Sequence, residues 1–173
     1  MKAMKPMDQK TMITEALPQD REILAKIIKT SFEDIARRFS LTPENCPKHP
    51  SNYTPDWVEK DFSRGVRYFM LHKGAGPVGC FGLEHPNSQI CYLERLSVLP
   101  ETRGRGFGKL LVRHALERAA STGAVAVGIG IIAEQTELKE WYKRLGFFET
   151  QTISVPHLPF TVCLMEFELG EGS

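Results

Sequence analysis

Residues 91–109 constrain this chain more than any other stretch. A strand-like run from Cys91 to Leu99 stops at Pro100, a glycine-rich turn follows, and an amphipathic segment runs from Gly108 to about Ser121. Strand end, glycine turn and helix start together predict an anion cradle. Glycines let the backbone come close to a ligand, and the unpaired N–H groups of a helix start point at it. Arg103, Arg105, Lys109 and Arg113 crowd this turn against only Glu101 and Glu117, so the local field is positive although the whole chain carries a formal charge of +1. The anion expected there is a pyrophosphate, held by Arg103, Gly104, Arg105, Gly106, Phe107, Gly108 and Lys109.

Two other phosphate loops fail. The P-loop pattern G-x-x-x-x-G-K-[S/T] breaks because Lys109 is followed by Leu110. A G-x-G-x-x-G does occur at Gly74, Gly76 and Gly79, but it lies between two strand-like runs with no helix after it, which predicts a hairpin turn.

With 173 residues the chain is long enough for one domain that buries roughly two thirds of its unfolded surface. Its 42% hydrophobic and 25% charged residues are those of a soluble globular protein. Near-neutral charge and the lack of a long apolar run give no reason to expect nucleic acid or membrane as a partner. Residues 1–10, rich in Met and Lys without an apolar core, read as a flexible tail rather than a signal peptide. Cys46, Cys80, Cys91 and Cys163 are scattered and do not pair with histidines in any metal-like spacing. Free thiols in a reducing cytoplasm are the expectation, with no metal.

Periodicity predicts a strand at Met12–Leu17. Leu24, Ile27, Ile28, Phe32, Ile35 and Phe39 then recur at helical spacing from Asp20 to near Leu41. The four prolines of residues 42–55 make a stiff connector. A short helix is expected at Asp56–Ser63, a hairpin at Val66–Lys73 and Val78–His85, and a longer strand at Gln89–Leu99. After the cradle helix come a buried strand (Ala124–Ile132), a helix (Glu137–Leu145) and strands at Phe147–Val155 and Pro159–Leu169. The order is β-α-α-β-β-β-α-β-α-β-β.

Arg103-x-x-Gly106-x-Gly108 after a strand matches the R/Q-x-x-G-x-G/A signature of the GNAT N-acetyltransferase superfamily. Leu96-Ser97-Val98-Leu99-Pro100 resembles that family's fourth strand, and Trp141-Tyr142-Lys143-Arg144-Leu145-Gly146-Phe147 resembles its "LYxKLGF" segment. The resemblance runs from about residue 11 to 169, strongly from 91 to 148. It implies an α+β GNAT fold: one domain over residues 11–170, with a central mixed, mostly antiparallel sheet between helices in three layers. It also implies that acetyl-CoA is the cosubstrate and that acetyl passes directly to an amine. The backbone of Leu96, Ser97 and Val98 would pair with the pantetheine amides in a V between the fourth and fifth strands, as if adding a strand. Gln135 stands where the family often has a pantetheine-contacting asparagine, and Leu138 where it often has alanine. Homodimers are common in the superfamily, so the resemblance leaves a homodimer open, although no surface stripe demands one.

Acetyl transfer to an amine needs proton handling, because an alkyl ammonium with a pKa of about 10 has no lone pair to attack with. Tyr142 matches the family tyrosine that protonates the departing thiolate, and a phenol is a suitable donor. Glu94 is the candidate base. It shares strand parity with Leu96 and Val98, which predicts that its carboxylate projects from their face; a strand glutamate paired with Arg95 or Arg67 is the competing expectation. The connector at 42–55 and the loop at Pro156–Pro159 correspond to acceptor-site walls, which makes Glu44, Asn45, His49, Tyr53 and His157 candidate acceptor contacts. The acceptor is an unidentified amine, small molecule or peptide. The alternative function is a coenzyme A-binding sensor or assembly module without catalysis.

Overall fold

The computed structural model describes residues 10–74 and 76–170. Residues 1–9, which the tail expectation mostly concerns, lie outside them. Among the described residues, seven strands and four α-helices follow the expected order. These are β1 (Thr11–Glu15), α1 (Arg21–Arg38), α2 (Pro55–Ser63), β2 (Arg67–Lys73), β3 (Gly76–Glu84), β4 (Ile90–Val98), α3 (Phe107–Ser121), β5 (Ala126–Ile132), α4 (Thr136–Arg144), β6 (Phe148–Ser154) and β7 (Thr161–Glu168).

Local chemistry sets most boundaries. The Thr54 hydroxyl accepts from the Trp57 N–H at 3.3 Å with Pro55 in the first helical position, so α2 begins on a side-chain cap and a preset φ. α3 starts at Gly106, whose left-handed backbone (φ 83) turns the chain from the glycine loop into the helix. β2 and β3 close from Lys73 and Gly76 as an antiparallel hairpin, as the glycine pattern there predicts.

The strands form one sheet in the order β1-β2-β3-β4-β5-β7-β6. All neighbours are antiparallel except β4 and β5. One face carries α3 and α4, packed through Phe107, Leu111, Ala115 and Tyr142 onto Phe69, Phe81, Leu93 and Ile129. The other carries α1 and α2, with Leu24, Ile28 and Val58 against Tyr68, Met70 and Cys80. Leu24, Ile28 and Leu111 are fully buried, and each contributes about 1.5–3 kcal/mol from desolvation. A third cluster joins the end of α1 to the β6–β7 loop through Ala36, Leu41, Cys46, Leu158 and Phe160. The expected three layers are therefore present.

Two irregularities in the sheet prepare the site. β4 and β5 pair only at Ile90–Ala126, Cys91–Val127 and Tyr92–Gly128. Beyond Tyr92, β4 stays on β3 as far as Val98, and β5 stays on β7 as far as Ile132, so the two strands part and a gap opens. The second irregularity is a bulge. Glu94 pairs with Gly82 and Ser97 with Cys80, which leaves Arg95 and Leu96 opposite Phe81 alone. Arg95 takes a left-handed φ of 56, a conformation that costs a residue with a Cβ about 1–2 kcal/mol. The Ser97 hydroxyl donates to the Arg95 carbonyl at 2.8 Å and holds the bulge.

Candidate functional site

The gap between β4 and β5 opens on both faces of the sheet. A cleft of about 910 Å³ runs through it, from the glycine turn past Leu96, Val98, Ile131, Gln135 and Tyr142 on the α3–α4 side to α1 and His49 on the other. Adjoining it on that other side is a recess of about 250 Å³ bordered by Tyr92, Leu93, Glu94, Arg95, Gly128, Ile129 and Gly130. Leu93, Arg95, Ile129 and Gly130 border both. Leu96, Ser97 and Val98 present one backbone edge to β3 and the other to the gap, because β5 has already left.

The turn has the form of a cradle. Gly104 (φ 78) and Gly106 (φ 83) are left-handed, and a Cβ built on either would meet nothing within 4 Å. The space in front of them is therefore open to a ligand and would be filled by a side chain. The first bond of α3 runs from the Leu110 N–H to the Gly106 carbonyl at 3.1 Å, so the N–H groups of Phe107, Gly108 and Lys109 precede the helix ladder. Gly108 lies under the Trp141 ring, where a Cβ would come within 3.1 Å of it. Arg105 and Lys109 are exposed at the rim. Arg103 is differently engaged: its guanidinium pairs with Asp34 at 2.7 Å and donates to the Ser31 and Val98 carbonyls. It ties the turn to α1, and this structural duty could not be read from its place in the motif. The donor-lined, cation-rimmed cradle fits a pyrophosphate.

Tyr142 is buried beside the cleft, its ring 5.2 Å from that of Phe147 and 4.9 Å from that of Trp141. Its hydroxyl has no hydrogen-bond partner among the described residues, and burial pushes its pKa up. The phenol stays protonated across the physiological range, as a proton donor must. Gln135 precedes the first turn of α4 and borders the cleft, with no side-chain cap of its own.

Glu94 does not project where strand parity placed it. The extra residue in the bulge reverses the alternation, so Leu96 and Val98 share the α3–α4 face with Leu93. Glu94 faces the α1–α2 side and borders the recess. Its ionic partner is Arg64, at 3.4 Å, rather than Arg95 or Arg67; Arg67 pairs with Glu15. Burial and a shared hydrogen bond with Glu84 push its pKa up to about 7, against the opposing pull of Arg95 and Arg64. A carboxyl poised there exchanges protons near neutral pH.

Of the residues proposed as acceptor contacts, two reach this region. His49 is buried at the cleft, bonded through Nδ1 to the Ser51 hydroxyl at 2.8 Å; burial and the nearby Arg95 bring its pKa down to about 4, so it is neutral. Tyr53 is buried beneath the Arg95 guanidinium and, like Tyr68, donates its hydroxyl to Asp61. Asn45 instead folds back on the connector, accepting from the Thr42 N–H and donating to the Ser40 carbonyl. Glu44 and His157 are exposed and border neither opening. Arg64, Asp61, Glu84 and Arg95 complete a charged layer under the recess that sequence reasoning missed. Asp61 and Arg64 lie at the end of α2, Glu84 on β3 and Arg95 on β4, and only the Asp61–Arg64 pair has a local (i,i+3) spacing.

The Acetyltransferase (GNAT) family model matches residues 29–147, and this chain belongs to that family. An uncharacterised N-acetyltransferase of Methanocaldococcus jannaschii is 34% identical over 103 residues, covering 56% of this chain. The chain spans 45% of that curated relative's length. Among solved structures, the PaiA N-acetyltransferase of Thermoplasma acidophilum in complex with coenzyme A superposes with a TM-score of 0.76 at 15% identity, over 92% of this chain and 99% of that one. The ribosomal-protein-S18-alanine N-acetyltransferase of Escherichia coli gives 0.75 at 12% identity, over 95% and 97%. At such identities these two likenesses establish the fold.

Proposed function

We propose that this protein transfers an acetyl group from acetyl-CoA directly to an amine. The observation that carries this reading is the gap itself. It passes through the sheet: the cleft joins the anion cradle and Tyr142 to His49 and α1 on the other side, where Glu94 borders the adjoining recess.

Gly104–Lys109 would hold the pyrophosphate, and the unpaired edges of β4 and β5 would receive the pantetheine arm as an added strand. Acetyl-CoA supplies the acetyl group already activated as a thioester. From the recess, Glu94 accepts the proton of the entering ammonium and so frees its lone pair. Tyr142 donates a proton to the departing sulfur, and its apolar surroundings keep water from substituting for it. The amine and the thiolate thus meet separate proton carriers on opposite sides of the sheet, and no residue needs to become acylated. Cys46, Cys80, Cys91 and Cys163 are all buried free thiols, which supports a reducing, cytoplasmic setting.

Tyr142→Phe tests the reading. Acceptor-dependent thiol release should fall on the order of 100-fold, while calorimetry shows unchanged acetyl-CoA affinity. A coenzyme A sensor would lose little by this change, so an unaltered response of the protein would favour the non-catalytic alternative.

A further inference from the structure

Arg95 is built into the gap in a way the acetyl-transfer machinery leaves unexplained. It occupies the bulge with φ 56, and its side chain borders both the cleft and the recess. Its guanidinium carbon lies 5.3 Å from the centroid of the Tyr53 ring. No carboxylate of the described residues pairs with it. Arg64 takes Asp61, Glu84 and Glu94, and the buried Nε of Arg95 has no acceptor. A guanidinium keeps its charge when buried and offers a planar fork of donors matched to a carboxylate. Arg95 is half-buried and is attracted by Glu94 and Tyr53. Yet it forms no ion pair among the described residues and its Nε is buried without an acceptor, which points to a carboxylate ligand that completes it.

The anionic end of acetyl-CoA does not meet this need, because the cradle that fits it lies past the far end of β4, at Gly104–Lys109. The pantetheine arm is neutral. The ligand must therefore come with the acceptor. Asp61 and Glu84 nearby favour a monoanion over a dianion. Phe32 and His49, packed edge to face at this end of the cleft, favour a small molecule.

We propose that the acceptor is a free amino acid whose carboxylate docks on Arg95 while its amine faces Glu94 at the gap. This rests on the acetyl-transfer reading above and names the substrate class of the same site. Arg95 is then a specificity residue: the bulge that turns Glu94 toward the recess also places the guanidinium one residue away, so amine and carboxylate are read by neighbours.

The test compares L-amino acids with their carboxamides as acceptors for the full-length protein and acetyl-CoA. Short peptides with an acidic second residue form a further arm. Free acids should exceed carboxamides in kcat/KM on the order of 30-fold, the loss expected when a buried charge pair forfeits one partner. The lower amine pKa of the carboxamides works against this ratio, so reactivity alone cannot produce it. Arg95→Gln should bring the ratio close to one, and Arg95→Lys should retain part of it. Equal use of acids and carboxamides by the wild type overturns the proposal, as does an equal loss for both in Arg95→Gln. Acidic peptides used in place of free amino acids would overturn the free amino acid as the source of the carboxylate. If Arg95→Gln does not fold, the wild-type ratio decides.

A binding measurement separates this proposal from the transfer reading. N-acetyl amino acids, but not their amides, should raise the melting temperature of the coenzyme A-loaded protein. That result without any transfer would sink the transfer reading and leave carboxylate recognition standing. Transfer to neutral amines with no stabilisation by the acids would do the reverse.

Discussion

At the scale of single residues, Glu94 carries the sharpest consequence. Its carboxyl titrates at about 7 in the folded protein against an ordinary value of 4.5, because it is buried and shares a hydrogen bond with Glu84. As a base it works only when ionised, so kcat/KM should rise as pH increases through about 7 and level off above. The same shift acts on stability with the opposite sense. A carboxyl whose folded pKa is raised contributes stability that is complete below 4.5 and lost as pH climbs through about 7. Glu94→Gln removes that titration. Its melting temperature should gain on the wild type between pH 5 and pH 8, and the acid limb near 7 should vanish from the pH–rate profile. A constant offset in melting temperature across this range would refute the assignment. The glycines of the cradle and Tyr142 were legible in the sequence, since their motifs are contiguous. The direction of Glu94 was not, because the bulge that turns it over rests on an arginine, and nothing local marks an arginine as left-handed.

At the scale of elements, β4 is held to β3 by a close approach that only glycine permits. A Cβ on Gly79 would lie 2.6 Å from the backbone carbonyl oxygen of Ser97 and 3.0 Å from the Leu111 side chain. Gly79→Ala should push the strands apart just where Ser97 locks the bulge. Urea unfolding should show a loss of about 1–3 kcal/mol, and a stability equal to wild type would show that β3 and β4 can part freely. The sequence placed Gly79 within the strand-like run Val78–His85, and the structure puts it in β3, but the reason for a glycine there appears only when β4 is laid against it. Helix and strand limits were otherwise readable within a few residues. Thr54-Pro55, Pro100 and Gly123 are stop and start signals whose mechanism is local.

At the scale of the molecule, the sheet is two half-sheets joined by three residue pairs between β4 and β5 and by α3 and α4 packing across the divide. The open end is bridged by the Arg38–Glu137 ion pair between α1 and α4, and by Leu158 and Phe160 against Leu41 and Cys46. A ligand that adds a strand in the gap would bond the free edges and couple the halves. Coenzyme A should therefore slow amide hydrogen exchange in peptides covering 93–98 and 129–132 while leaving β1 and β2 unchanged. Protection spread evenly over the chain, or confined to the cradle, would refute strand-like binding.

The sequence by itself determined the order of elements, the α+β class, the cradle and the family, because each rests on residues adjacent in the chain or spaced by one helical or strand period. Only the tertiary structure decided that β4 and β5 part after Tyr92, that Arg103 is bound to α1, and that Glu94 and Arg95 look into the recess over Tyr53 and Asp61. Strand divergence, bulge direction and long-range ion pairs depend on which chain segments become neighbours. Pairing across dozens of residues is settled by packing, and packing leaves no period in the sequence.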